Sequence, residues 1–101
     1  MTRYAASETT TITVQAGETF VLESLRQPVV PPYVLIIPFL EGPPSLRILN
    51  QQPLDEDGIH GCTYTLAVDE PGTSALHAGL RDLRTGQVTH DTTITLHVRA
   101  P

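Results

Sequence analysis

Tryptophan and lysine are both absent from this chain of 101 residues, and cysteine and methionine occur once each. A single cysteine excludes an internal disulfide, so packing alone must hold the fold. All six basic residues are arginines, set against 11 acids, and the formal net charge is −5. That balance excludes a nucleic-acid binder, because phosphate contact needs a cationic face that releases counterions. No basic cluster serves as a membrane patch either, and no apolar stretch approaches the roughly 20 residues of a membrane-spanning helix. Met1 to Thr10 has no charged region followed by an apolar run. The chain as it stands is therefore expected to be cytoplasmic, or exported if a signal peptide has been removed from a longer precursor. Aromatic residues are only 5%, but 40% apolar residues suffice for the core of one domain spanning 1–101.

What is present reads as strands. Ile12 and Val14 alternate with Thr11, Thr13 and Gln15, and after the turn Ala16-Gly17-Glu18, Phe20 and Leu22 alternate with Thr19, Val21 and Glu23. Tyr64, Leu66 and Val68 repeat the pattern until Asp69-Glu70-Pro71-Gly72 breaks it. Leu76, Ala78 and Leu80 form another period-2 set, and Ile94, Leu96 and Val98 the last. Fourteen threonines suit such half-solvated pleated surfaces. Tyr33 to Ile37 is apolar at every position, which predicts a strand covered on both sides. Asp55 to Gly61 reads as a polar, glycine-bearing loop, and Arg84-Thr85-Gly86 as a hairpin turn. No segment shows helical spacing with caps. About seven short strands in a chain of this length predict an all-β, immunoglobulin-like sandwich.

The order and spacing of these strands resemble the chagasin-like inhibitors of papain-type cysteine peptidases. The likeness begins at Thr11 to Glu18, similar to that family's opening strand and turn. It is clearest from Tyr64 to Val98, where Tyr64 to Thr73 is similar to the family's strand and Pro-Gly-Thr turn. The resemblance implies a non-catalytic inhibitor that fills a peptidase cleft with three loops at one end of the sandwich. The first loop, Asn-Pro-Thr-Thr-Gly-aromatic in the family, corresponds to Gln27-Pro28-Val29-Val30-Pro31-Pro32-Tyr33. It keeps the proline and the aromatic, while valines replace the threonines and two prolines replace the glycine. The second corresponds to Gly58-Ile59-His60-Gly61, and the third, Arg-Pro-Trp in the family, to Arg81-Asp82-Leu83-Arg84. The contacting residues implied are Pro28, Val29, Val30 and Tyr33; Gly58, Ile59, His60 and Gly61; and Arg81, Leu83 and Arg84.

The residues also bear other readings. Prolines fix φ and extend the residue before them, so Pro28 to Pro32 reads as a stiff polyproline-like segment. Val29 and Val30 either present an apolar edge there or pack down onto the sandwich. Pro38-Phe39-Leu40 reads as core lining under a loop. Cys62 with His60 two residues away is the one nucleophile–base pair on offer, but nothing is placed to orient the imidazole, so a structural thiol is the reading taken. His77 and His97 share the outward parity of two strands expected to pair, so they would face each other. With no third ligand they make no metal site, and Asp55-Glu56-Asp57-Gly58 lacks the alternate-position ligands and later bidentate Glu of a calcium loop, so it reads as a solvated turn. Asp82 can pair with Arg81 or Arg84, and a free arginine would fork onto a partner's carboxylate.

The function expected is a non-catalytic protein-binding module, a monomer that inhibits papain-like cysteine peptidases by occlusion, with no cofactor and no metal. The alternative is an assembly module that self-associates, or docks a non-peptidase partner, through an exposed strand edge or Tyr33 to Leu40.

Overall fold

The computed structural model describes residues 2–24, 27–28, 36–56 and 59–101. Among them run nine strands and no helix: β1 (Thr2–Ala5), β2 (Thr11–Gln15), β3 (Thr19–Glu23), β4 (Gln27–Pro28), β5 (Ile36–Glu41), β6 (Leu46–Glu56), β7 (Ile59–Val68), β8 (Gly72–Asp82) and β9 (Val88–Arg99). They form two sheets. In the first, β1 pairs with β3 in parallel and β3 with β7 antiparallel. β4 continues along the same side of β7, and β6 takes its other side. The second sheet runs β2-β9-β8-β5, with β2 parallel to β9 and the remaining pairs antiparallel.

The period-2 residues of both sheets meet in one core. Phe20, Leu22, Tyr64, Leu66 and Val68 face inward from the first sheet, and Ile12, Val14, Leu76, Ile94, Leu96 and Val98 from the second. This two-layer all-β sandwich is the expected architecture, because each strand has one apolar face to bury against the other sheet. The turn at Ala16-Gly17-Glu18 carries the chain from one sheet to the other, with the Gly17 N–H donating to Val68 O at 2.9 Å. Gly72 opens β8 at φ +141°, a conformation essentially restricted to glycine.

Several expectations are corrected. Asp55 to Gly61 is not a loop: Asp55 and Glu56 end β6, and Ile59, His60 and Gly61 begin β7. Strand β6 was not read at all, because Asn50, Gln51, Gln52 and Pro53 are poor strand formers and show no alternation. Pairing with β7 imposes the strand, and a bulge between Ile48 and Asn50 shifts its parity. The apolar strand expected over Tyr33 to Ile37 is met at Ile36 and Ile37, which open β5 at the outer edge of the second sheet. Residues 33–35 lie outside the described residues. The two histidines do not face each other. His77 stands opposite Thr93 and His97 opposite Thr73, and each Nδ1 lies 3.1–3.2 Å from that threonine's hydroxyl.

Candidate binding end of the sandwich

Strand register decides which connections are neighbours. Pro28, the last residue of β4, stands opposite Ile59, and Ile59 stands opposite Glu56. The chain therefore leaves β4 beside the end of the β6–β7 hairpin. It resumes at Ile36 in β5, which stands opposite Asp82, the last residue of β8. The segment 29–35 thus begins beside one connection and ends beside another, so three connections issue from the same end of the sandwich: 29–35, 57–58 and 83–87.

Of the sequence-expected contact residues, Pro28, Ile59, His60 and Gly61 lie on paired strands at this end. Val29, Val30, Tyr33 and Gly58 fall outside the described residues. Arg81 belongs to strand β8 rather than to the turn, while Leu83 and Arg84 are in the turn itself.

The β8–β9 turn is held by its own hydrogen bonds. Asp82 N–H donates to Gln87 O at 2.9 Å and Gly86 N–H to Asp82 O at 2.8 Å. The Asp82 carboxylate accepts the Arg84 backbone N–H at 2.9 Å, and the Arg84 guanidinium at 3.2–3.3 Å. Hydrogen bonds from the Arg84 side chain and backbone hold the Asp82 carboxyl below its ordinary range. Of the two partners open to Asp82, Arg84 is the one it takes. Arg81 instead lies over the Phe39 ring, 5.3 Å from its centroid.

That stacking changes the reading of Pro38-Phe39-Leu40. Leu40 packs on the core, but Phe39 faces outward into a shallow depression lined also by Glu41, His77, Arg81, Val88 and Asp91. Leu83 is 53% exposed and Val88 42%, one on each side of the turn. Val88 went unnoticed in the sequence; its register opposite Arg81 is the signal that places it here.

Among the described residues at this end, Cys62 carries the one thiol, and it is not poised as a nucleophile. Cys62 is 2% exposed and points into the core. Burial pushes its thiol up. A thiol of that kind is inert. Among the described residues, no three His, Cys, Asp or Glu side chains gather as a metal set.

The molecule is therefore an all-β sandwich with connections grouped at one end, an architecture that presents loops on a rigid frame. It is similar to the crystal structure of the cysteine protease inhibitor EhICP2 from Entamoeba histolytica, with a TM-score of 0.73 and 13% sequence identity, covering 96% of this chain and 93% of that one. It is also similar to the solution structure of amebosin, with a TM-score of 0.51 and 18% identity, covering 99% and 97%. At such identities the likeness is one of fold, and it is the fold that the resemblance to the chagasin-like inhibitors implied. No family model and no curated protein matches the sequence.

Proposed function

We propose that this chain is a non-catalytic protein-binding module that inhibits papain-like cysteine peptidases by occluding the active-site cleft with the three connections at one end of the sandwich. The observation that carries this reading is the register that starts segment 29–35 beside the β6–β7 hairpin and ends it beside the β8–β9 turn. The fold shared with a cysteine protease inhibitor supports it. Pro28, Val29, Val30 and Tyr33 would supply apolar contact from the first connection, and Gly58, Ile59, His60 and Gly61 a backbone-led contact from the second.

In the third, Leu83 would take the place of the family's aromatic anchor, next to an Arg84 paired with Asp82 and near an Arg81 that lies over Phe39. A turn already hydrogen-bonded in its final shape loses little entropy on docking. Titration of papain with the purified protein, following substrate hydrolysis, tests the reading. Stoichiometric inhibition is expected, and it should be lost when Val29 and Val30 are both replaced by Asp while circular dichroism stays unchanged. Full papain activity at a large excess of the protein would overturn it.

A further inference from the structure

Five strands have an outer edge with no strand partner among the described residues: β1, β4 and β6 in the first sheet, β2 and β5 in the second. An open edge invites another strand, and proteins ordinarily blunt it with charge, proline or a bulge. Four of these edges are blunted. β6 carries its bulge and Pro53, β5 contains Pro38 and ends on Glu41, β4 ends on Pro28, and β1 carries Arg3 in an ion pair with Glu23. β2 has none of these. Thr11-Ile12-Thr13-Val14-Gln15 lacks charge, proline, glycine and bulge, and is rich in β-branched residues.

Parallel pairing with β9 fixes which backbone groups of β2 are unused. Thr95 N–H donates to Thr10 O, and Ala16 N–H to Arg99 O. Even-numbered residues thus bond to β9, and the N–H and C=O of Thr11, Thr13 and Gln15 point off the sheet. At Gln15 both are already engaged by Glu18. The Gln15 N–H donates to the Glu18 carboxylate at 3.2 Å, and Gln15 O accepts the Glu18 N–H at 3.0 Å. Thr11 and Thr13 remain.

We propose that this edge is a self-association site, at which two copies of the chain pair antiparallel through β2 about a two-fold axis at Ile12. In that register Thr11 of each copy lies opposite Thr13 of the other, and each such pair exchanges N–H···O=C bonds in both directions. Every unused group is satisfied, and the Glu18 contact at Gln15 stays intact as the terminator. Ile12 meets Ile12 on the core face in the non-hydrogen-bonded position, where side chains approach most closely, and the threonines pair on the outer face.

The occupant is a second copy because the strand is its own complement in this register. β2 itself is also neutral in a chain of net charge −5, and the nearby Glu18 carboxylate is already engaged by the Gln15 N–H. The edge is short and the dimer correspondingly weak. β2 pairs with Thr95 to Arg99, whereas the grouped connections adjoin Val88 at the other end of β9, so dimerisation leaves the proposed peptidase-binding end open.

Sedimentation of the whole chain from about 10 μM to about 1 mM, the range of a weak contact, should show a concentration-dependent dimer. The variants Thr11→Lys with Thr13→Lys, and Thr11→Glu with Thr13→Glu, place like charges opposite one another and should each stay monomeric. Mixed in equal amounts they should dimerise again, which a variant that had merely lost its fold would not do. A wild-type monomer throughout the range, a lysine variant that dimerises like wild type, or a mixture that stays monomeric would each overturn the proposal. Amide shifts of wild type on dilution give a measurement free of substitution: they should concentrate at Thr11 and Thr13, and changes confined to other strands would refute it. Papain inhibition should be unaffected by either variant, so this proposal and the inhibitor reading stand or fall separately.

Discussion

Ser24 and Cys62 are joined by two hydrogen bonds of different kinds. The Ser24 N–H donates to Cys62 O at 2.8 Å as in an ordinary ladder, but the Cys62 N–H is accepted by the Ser24 side-chain oxygen, at 2.7 Å. The hydroxyl takes over from a backbone carbonyl just where the chain leaves β3. Both residues are buried, so the Cys62 N–H depends on that oxygen.

Ser24→Ala therefore orphans a buried donor. It should lower stability by about 1–3 kcal/mol, the desolvation cost of an unpaired buried group. In urea the midpoint should fall at unchanged slope; a midpoint equal to wild type would show that the N–H finds another acceptor.

Burial raises the thiol of Cys62 above its ordinary value of 9.0. The hydroxyl of Tyr64 is raised as well, by burial first and then by the adjacent Cys62. The unfolded chain therefore releases these protons at lower pH than the native one. Their contribution is intact below the ordinary thiol value and lost as pH rises above it, because the native state then binds more protons. Urea midpoints should decline from about pH 9 upward, and less steeply in Cys62→Ala. A thiol reagent at neutral pH should react only as fast as the chain opens.

At Gly72 an added Cβ would meet no atom within 4 Å, yet φ is +141°. The cost of Gly72→Ala is thus backbone strain alone, about 1–3 kcal/mol, with the folded spectrum preserved. A loss below about 0.5 kcal/mol would mean that the turn relaxes to another conformation.

Asp82 organises the β8–β9 turn through Arg84, and its lowered pKa gives that effect a sign. The contribution is present above the ordinary carboxylate range and fades as pH falls through the depressed native value. Asp82→Asn should speed amide exchange at Arg84 and Gly86 with little change in the unfolding midpoint. Exchange as slow as in wild type would assign the turn's order to its backbone bonds.

The sandwich was legible wherever one face of a strand is buried. Ile12, Val14, Phe20, Leu22, Tyr64, Leu66, Val68, Leu76, Ala78, Leu80, Ile94, Leu96 and Val98 alternate in the sequence and are all buried in the fold. β6 was illegible for the same reason: Ile48 and Leu49 remain half exposed, and a bulge parts them from Asn50, so no alternation records the strand. The pairing of Glu56 with Ile59 shortens the loop expected over Asp55 to Gly61 to a tight connection. At the proposed binding end, the sequence supplied Leu83 and Arg84 and offered Asp82 as a partner, but not which arginine it takes. That Arg84 turns back to Asp82 depends on the geometry of the turn, and that Arg81 lies over Phe39 depends on the neighbour that β5 brings beside β8.

The parallel pairing of β2 with β9 also bears on how the chain is made. Residues 11–15 leave the ribosome long before their partners, residues 95–99. The first strand of the second sheet must wait for the last before it can be hydrogen-bonded, and closing so long a loop is slow. The core cannot close until residues 95–99 have been made, and until then the Thr9 to Val14 stretch stays exposed as a bare, neutral, β-prone segment.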